Sequence, residues 1–169
     1  MKYRSIPMLL TLLTLPQPAL RGADSDRIDQ RYYFRLTNTF LGDAYSLDTA
    51  NDGVKGPMMA KSGDYSGQFW MFTRHDGVYR MTNLFLGPER SLDTYSDGEN
   101  TPFMGQSGEH SGQRWRLTPV GGGNYRLTND YLGEGRSLDT YSDGANAPFM
   151  GQSGEYSGQL WKLTKLRRI

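Results

Sequence analysis

Three aspartates and three glutamines recur at fixed intervals along this 169-residue chain. A glutamine follows each aspartate at the same distance, which pairs Asp48 with Gln68, Asp93 with Gln113 and Asp139 with Gln159. A carboxylate accepts hydrogen bonds from hydroxyl groups, and an amide both donates and accepts them. The pairs could therefore bind a polyhydroxylated ligand, or they could cap turns and satisfy backbone N–H groups within the fold.

The aspartates belong to an internal repeat. The nine residues RSLDTYSDG at 90–98 return unchanged at 136–144, and a looser version, YSLDTANDG, occupies 45–53. The second and third copies are identical at 30 of 40 aligned positions, a match that a duplication alone would also produce. The three copies align without gaps, and each carries one tryptophan: 34–73 with Trp70, 79–118 with Trp115 and 125–164 with Trp161.

Each copy has the pattern of short strands separated by turns. In the third copy these are YRLTN (125–129), SLDTY (137–141), PFMGQ (148–152) and QLWKLT (159–164). Alternation with period two, interrupted by glycine and proline, is typical of β-strands. Four strands in each copy fit an all-β fold with pseudo-threefold symmetry, the β-trefoil, in which six strands form a barrel and six form capping hairpins. A propeller is disfavoured, because propellers normally close with about four to eight blades.

The N-terminus has the features of a signal peptide. Lys2 and Arg4 precede an apolar stretch at 6–15, and small residues follow up to Ala23. We therefore predict a signal peptide over 1–23, a polar lead-in over 24–33 and one domain over 34–169, exported to the periplasm or secreted. The apolar stretch is too short for a stable membrane helix, so no membrane insertion is expected after the signal is removed.

Composition excludes several classes of function. The net charge of +1 gives no indication of nucleic-acid binding, and the absence of cysteine excludes disulfides and thiol chemistry. The segment 93–98 resembles a calcium loop, but Tyr95 and Met104 occupy positions that require oxygen ligands. The two histidines do not recur between copies, so we predict neither catalysis nor a cofactor nor a metal site, and we expect a monomer.

The segments GQFW, GQRW and GQLW carry a Gln-x-Trp motif in each copy. Together with Ser-Leu-Asp-Thr, they resemble the ricin B-chain-type β-trefoil lectins. The resemblance implies up to three shallow sugar sites, in which the repeated aspartate binds hydroxyl groups of the sugar. The repeated glutamines are candidate site residues beside it. The chain departs from the family where an asparagine would precede that glutamine, since the residues there are Gly67, Gly112 and Gly158.

A sugar site also needs an aromatic ring against the C–H face of the sugar. The family position for this ring falls near PFMGQ, where the second and third copies have Gly105 and Gly151. Two other sets of residues could supply the ring: Tyr95 and Tyr141, which follow the aspartates, and Tyr65, His110 and Tyr156, which precede the Gln-x-Trp motif. Asp48 should be the weakest anchor, because Ala50 stands in its copy where the others have a tyrosine.

Two alternatives remain beside a glycan-binding module. A protein-interaction or inhibitor β-trefoil would act through loops such as 108–111 and 154–157, and its activity would survive loss of the aspartates. A scaffold without pockets would use the aspartates as turn caps only. The glutamines share this ambiguity, since a buried amide must be hydrogen-bonded whether or not it touches a ligand. The tryptophans are predicted to form the core.

Overall fold

The computed structural model describes residues 27–49, 56–94, 101–140 and 147–169. Strands make up most of these residues, and a short 3-10 turn precedes the last strand of each copy. The strands found in the described ranges are β1 (Tyr32–Asn38), β2 (Tyr45–Thr49), β3 (Pro57–Lys61), β4 (Trp70–His75), β5 (Val78–Asn83), β6 (Arg90–Thr94), β7 (Pro102–Gln106), β8 (Trp115–Gly121), β9 (Asn124–Asn129), β10 (Arg136–Thr140), β11 (Pro148–Gln152) and β12 (Trp161–Arg168).

In the described part of the chain, six strands form a closed barrel and the other six form three hairpins. The barrel order is β1-β12-β9-β8-β5-β4, and the hairpins are β2-β3, β6-β7 and β10-β11. The predicted division into barrel and capping hairpins is therefore confirmed. Among the described residues no helix is long and apolar enough to span a membrane.

The three tryptophans lie at the centre of the core, as predicted, and all are fully buried. Each begins a barrel strand, and its indole Nε1–H donates to a carbonyl oxygen of a hairpin leucine. The three bonds are equal in length at 2.8 Å and join Trp70 to Leu47, Trp115 to Leu92 and Trp161 to Leu138. The tryptophan thus connects the barrel to the hairpin of its own copy, which carries the repeated aspartate.

A second set of bonds joins each copy to its neighbour. A buried asparagine at the end of a barrel strand donates through Nδ2 to the hydroxyl of the threonine that follows a repeated aspartate. The pairs are Asn83 with Thr49 at 3.0 Å, Asn129 with Thr94 at 3.0 Å and Asn38 with Thr140 at 2.8 Å. The last pair connects the first copy to the third, so the bonds run around the whole pseudo-threefold axis.

One local prediction needs correction, the start of the strand predicted over 159–164. Gln159 ends a 3-10 turn over Ser157–Gln159, as Gln113 does over Ser111–Gln113, and the strand begins at Trp161. The turn directs the amide away from the barrel core and toward the repeated aspartate. The lead-in contributes to the core through Ile28, which is buried and whose N–H donates to Tyr79 Oη at 3.1 Å.

Candidate functional site

Each repeated aspartate lies on a hairpin strand and accepts hydrogen bonds from the same two kinds of donor. In the third copy, Asp139 Oδ1 accepts from the backbone N–H of Thr140 at 2.7 Å, and Oδ2 accepts from Gln159 Nε2 at 2.9 Å. The second copy repeats this geometry at 2.8 Å for both bonds, and the first at 2.7 and 2.8 Å. These donors occupy two of the roughly four acceptor positions of a carboxylate.

The glutamines hold the aspartates in place. Gln113 Nε2 donates both to Asp93 Oδ2 and to the carbonyl of Gln106 at 2.7 Å, so both of its N–H groups are used within the protein. Its Oε1 accepts from the N–H of Gly108 at 3.0 Å. Gln68 and Gln159 make the corresponding bonds. The structure therefore supports a positioning role for the glutamines.

The glycine before each glutamine explains the departure from the lectin pattern. A Cβ built on Gly158 would overlap Asp139 Oδ1, and Gly112 and Gly67 have the same relation to Asp93 and Asp48. The carboxylate lies directly against the backbone at this position. An asparagine, or any residue with a side chain, would displace it.

We expect Gly158→Ala to lower the free energy of unfolding by about 1–3 kcal/mol, because the added methyl group separates a buried carboxylate from its amide donors. Gly135→Ala is the matched control, since a Cβ at Gly135 meets no atom within 4 Å. Its effect should stay within about 0.5 kcal/mol. Urea denaturation followed by tryptophan fluorescence measures both variants. Equal free energies of unfolding for the two variants would contradict a requirement for close approach of the Asp139 carboxylate to the backbone at Gly158.

A surface depression of about 250 Å³ lies beside Asp139. Asp139 is 8% exposed and pairs across the hairpin with Phe149, whose ring forms one wall. Gly151 and Gln152 line the depression between them, and Tyr156 forms its outer lip. The absence of a side chain at Gly151 leaves room beside the carboxylate. A Cβ at this position would lie only 2.9 Å from Asp139 Oδ2 and would crowd it. A carboxylate and two aromatic rings thus face the same hollow.

A second depression, of about 460 Å³, lies beside Asp93, which is 7% exposed. It lies on the side of the hairpin that faces the following copy. Its lining residues are Asp93, Thr94, Glu109, His110, Ser111, Gly112 and Tyr131. A carboxylate and an aromatic ring again share one hollow, and Tyr131 belongs to the third copy.

The rings that precede the Gln-x-Trp motif have a common setting. Tyr156 is 59% exposed, and its ring lies against Gly154, where a Cβ would overlap it. Tyr65 and His110 lie in the same way on Gly63 and Gly108. An arginine fixes each loop from the barrel side, because Arg35, Arg80 and Arg126 donate through Nη2 to the carbonyls of Gly63, Gly108 and Gly154 at 2.5, 2.7 and 2.6 Å.

The first copy differs from the other two around its aspartate. Met58 stands opposite Asp48 where the others have Phe103 and Phe149, and Ala60 replaces their glycine. Its hairpin therefore presents no aromatic side chain across from the carboxylate. This difference agrees in direction with the weaker role predicted for Asp48.

Sequence reasoning missed the wall residues Phe149 and Tyr131. The signal for Phe149 was its position opposite Asp139 in an antiparallel hairpin. The signal for Tyr131 was the recurrence of an aromatic residue at this place in all three copies, since Phe40 and Phe85 are its equivalents. Two predicted ring donors, Tyr95 and Tyr141, lie outside the described residues, as does most of the segment resembling a calcium loop.

Charged side chains near the depressions are mostly paired. Asp130 accepts from Arg114 Nε at 2.8 Å and lies 2.9 Å from Arg116 Nη2, and the bond from Arg114 is the main cause that lowers the pKa of the Asp130 carboxyl. Lys162 lowers the pKa of Asp43 in the same way. No cluster of three or more potential metal ligands occurs in the ranges that the structure describes.

No family model and no curated protein matches the chain. Solved structures do match it. The designed threefold-symmetric protein ThreeFoil superposes with a TM-score of 0.69 at 20% identity, over 79% of this chain and 99% of that one. The domain is a β-trefoil.

Other β-trefoil structures similar to it are lectins. SeviL bound to asialo-GM1 saccharide gives a TM-score of 0.61 at 19% identity over 80% of this chain and 98% of that one. The Polyporus squamosus lectin bound to Neu5Acα2-6Galβ1-4GlcNAc gives 0.66 at 13% identity, covering 83% and 51%. The β-trefoil also matches parts of two larger proteins, a mosquitocidal holotoxin and a Clostridium perfringens endo-β-galactosidase, but spans only 18% and 33% of those chains.

Proposed function

We propose that this β-trefoil is an exported, non-catalytic carbohydrate-binding module with up to three shallow sugar sites. The observation that carries the proposal is the depression at Asp139, where the carboxylate shares one hollow with Phe149 and Tyr156. Sugar hydroxyl groups would donate to the carboxylate, and the apolar C–H face of the sugar would lie on a ring.

The similar structures support a glycan as the ligand. SeviL and the Polyporus lectin are β-trefoil proteins recorded with saccharides bound, although their identity to this chain is too low to transfer residues. Several weak sites on one rigid domain also suit a polymeric or clustered glycan, because binding at one site raises the effective concentration at the next.

A binding role without catalysis fits the surroundings of the carboxylates. Glycoside hydrolysis uses a pair of carboxyl groups, one of them held in an environment that keeps it protonated. Glu109 shares the depression of Asp93, but its side chain is 81% exposed and pairs with Arg80 at 3.0 Å. This setting is that of a solvated surface charge, and it lacks the apolar enclosure of a general acid.

We expect the full chain to bind neutral glycans on an array and to bind their sialylated counterparts more weakly. A sialic acid carboxylate in the larger depression would face both Asp93 and Glu109, and like charges in contact disfavour binding. The array should carry each terminal sugar as a monosaccharide and within a disaccharide. Failure of the folded protein to bind any glycan would contradict the proposed function, and a preference for sialylated glycans would contradict the charge argument.

A further inference from the structure

The depression at Asp93 is built by two copies of the repeat. Asp93 and Thr94 come from the second copy, whereas Tyr131 comes from the turn after β9 in the third. Tyr131 is 44% exposed, so a large part of its ring is available to a ligand. The carboxylate and this ring therefore form a site that neither copy could make by itself.

The turn that carries Tyr131 is fixed from within. The backbone N–H of Gly133 donates to the carbonyl of Asn129 at 2.9 Å, and the N–H of Leu132 donates to Asn129 Oδ1 at 2.9 Å. Gly133 has a φ of +70°, a conformation that favours glycine. Asn129 also donates to Thr94, the residue next to Asp93. The same side chain thus shapes the turn and attaches it to the aspartate strand of the preceding copy.

Asp130 fixes the other side of the turn. Its N–H donates to the carbonyl of Arg114 at 3.1 Å, and its carboxylate pairs with the side chains of Arg114 and Arg116. Tyr131 is consequently held between two anchored residues. A turn whose backbone is ordered before the ligand arrives loses little conformational entropy on binding, which favours affinity.

The arrangement recurs around the axis. Phe85 and Phe40 occupy the position of Tyr131 in the other copies, and both are exposed to a similar degree. Asn83 and Asn38 attach their turns to Thr49 and Thr140, the residues next to Asp48 and Asp139. Each of these turns is therefore attached beside a repeated aspartate, and in the second copy the ring and the carboxylate line one depression.

We infer that this ring is a second subsite, which makes the preferred ligand an oligosaccharide of at least two units. This inference rests on the proposed function and specifies its ligand class. One sugar donates hydroxyl protons to Asp93, and the next sugar along the chain lays its C–H face on Tyr131. The depression at Asp93 thus includes an aromatic ring from the neighbouring copy, beyond the reach of the sugar that occupies the carboxylate.

The test compares monosaccharides with disaccharides at one isolated site. Asp48→Ala/Asp139→Ala leaves Asp93 as the single repeated aspartate, and Tyr131→Ala and Tyr131→Phe are added to that background. On the array of monosaccharides and matching disaccharides, Tyr131→Ala should weaken disaccharide binding roughly tenfold, because the covered ring area is lost. Monosaccharide binding should change less than about twofold, and Tyr131→Phe should restore the disaccharide preference.

The outcomes separate the inference from the function that it extends. If Asp93→Ala abolishes sugar binding and Tyr131→Ala leaves it unchanged, the inference of a second subsite is overturned. The sugar site at Asp93 would remain supported. Equal losses for monosaccharides and disaccharides would also overturn it, by placing Tyr131 at the first sugar. Absence of binding by the unaltered protein would reject the proposed function itself.

Discussion

Asp93→Ala/Asp139→Ala should abolish most glycan binding. Each carboxylate is the charged acceptor of its depression, and a hydrogen bond to a charged group contributes about 1.5–3 kcal/mol, so we expect a loss of roughly 10- to 150-fold at each site. Asp48→Ala should have a smaller effect, because its hairpin has Met58 in place of a phenylalanine. Isothermal calorimetry with the best array ligand measures both variants.

The variants also remove the partner of a buried glutamine, so folding must be monitored. Gln159 Nε2 would lose its bond to Asp139 and keep the one to the carbonyl of Gln152. Near-ultraviolet circular dichroism of the buried tryptophans reports whether the core is retained. Asp43→Ala is the matched control, since Asp43 is an exposed aspartate that pairs with Lys162. Full binding by a folded double variant, or a loss caused by Asp43→Ala, would place the site elsewhere.

Trp115→Ala should cost about 3–5 kcal/mol of unfolding free energy, the range for buried aromatic side chains replaced by alanine. The side chain is fully buried and also donates to the Leu92 carbonyl at 2.8 Å. The total stability of an ordinary domain is about 5–15 kcal/mol, so this variant could approach the limit of folding. Chemical denaturation of the variant against the unaltered protein measures the difference.

Trp115→Phe separates the two contributions. Phenylalanine fills most of the volume but cannot donate to Leu92, so the expected loss falls to about 1–3 kcal/mol. The same changes at Trp70 and Trp161 should give similar values, because both residues are equally buried and make bonds of the same length. A marked difference between the three positions would contradict their equivalence in the core.

The internal repeat allowed the architecture to be predicted from the sequence alone. Three tryptophans and three aspartates at matching intervals predicted threefold closure, and alternation predicted the strands. Only the ends of elements were misjudged. Gln113 alternates with Trp115 as a strand residue would, yet the preceding Ser-Gly turns the chain into a 3-10 conformation. Such a local deviation does not disturb the sequence pattern that predicts the strand.

The site was less accessible to sequence reasoning, for a physical reason. Asp139 and Phe149 meet because two strands pair in one particular register, and Asp93 and Tyr131 meet because one copy packs on the next. The first relation depends on the strand register within one copy, and the second depends on contact between two copies. The role of Gly158, a departure from the lectin pattern in the sequence, depends on how closely Asp139 Oδ1 approaches its backbone. Close approach of this kind is a property of three-dimensional packing.

Closure of the barrel has a consequence for biosynthesis. The first strand has an extended partner only in the last, since β1 pairs with β12 from Tyr32↔Arg168 to Asn38↔Trp161 and meets β4 at Phe34↔Trp70 alone. A chain emerging from the ribosome exposes the edge of β1 until β12 has been translated. Unpaired strand edges promote aggregation of nascent chains. Completion of the ring must therefore wait until β12 has been translated.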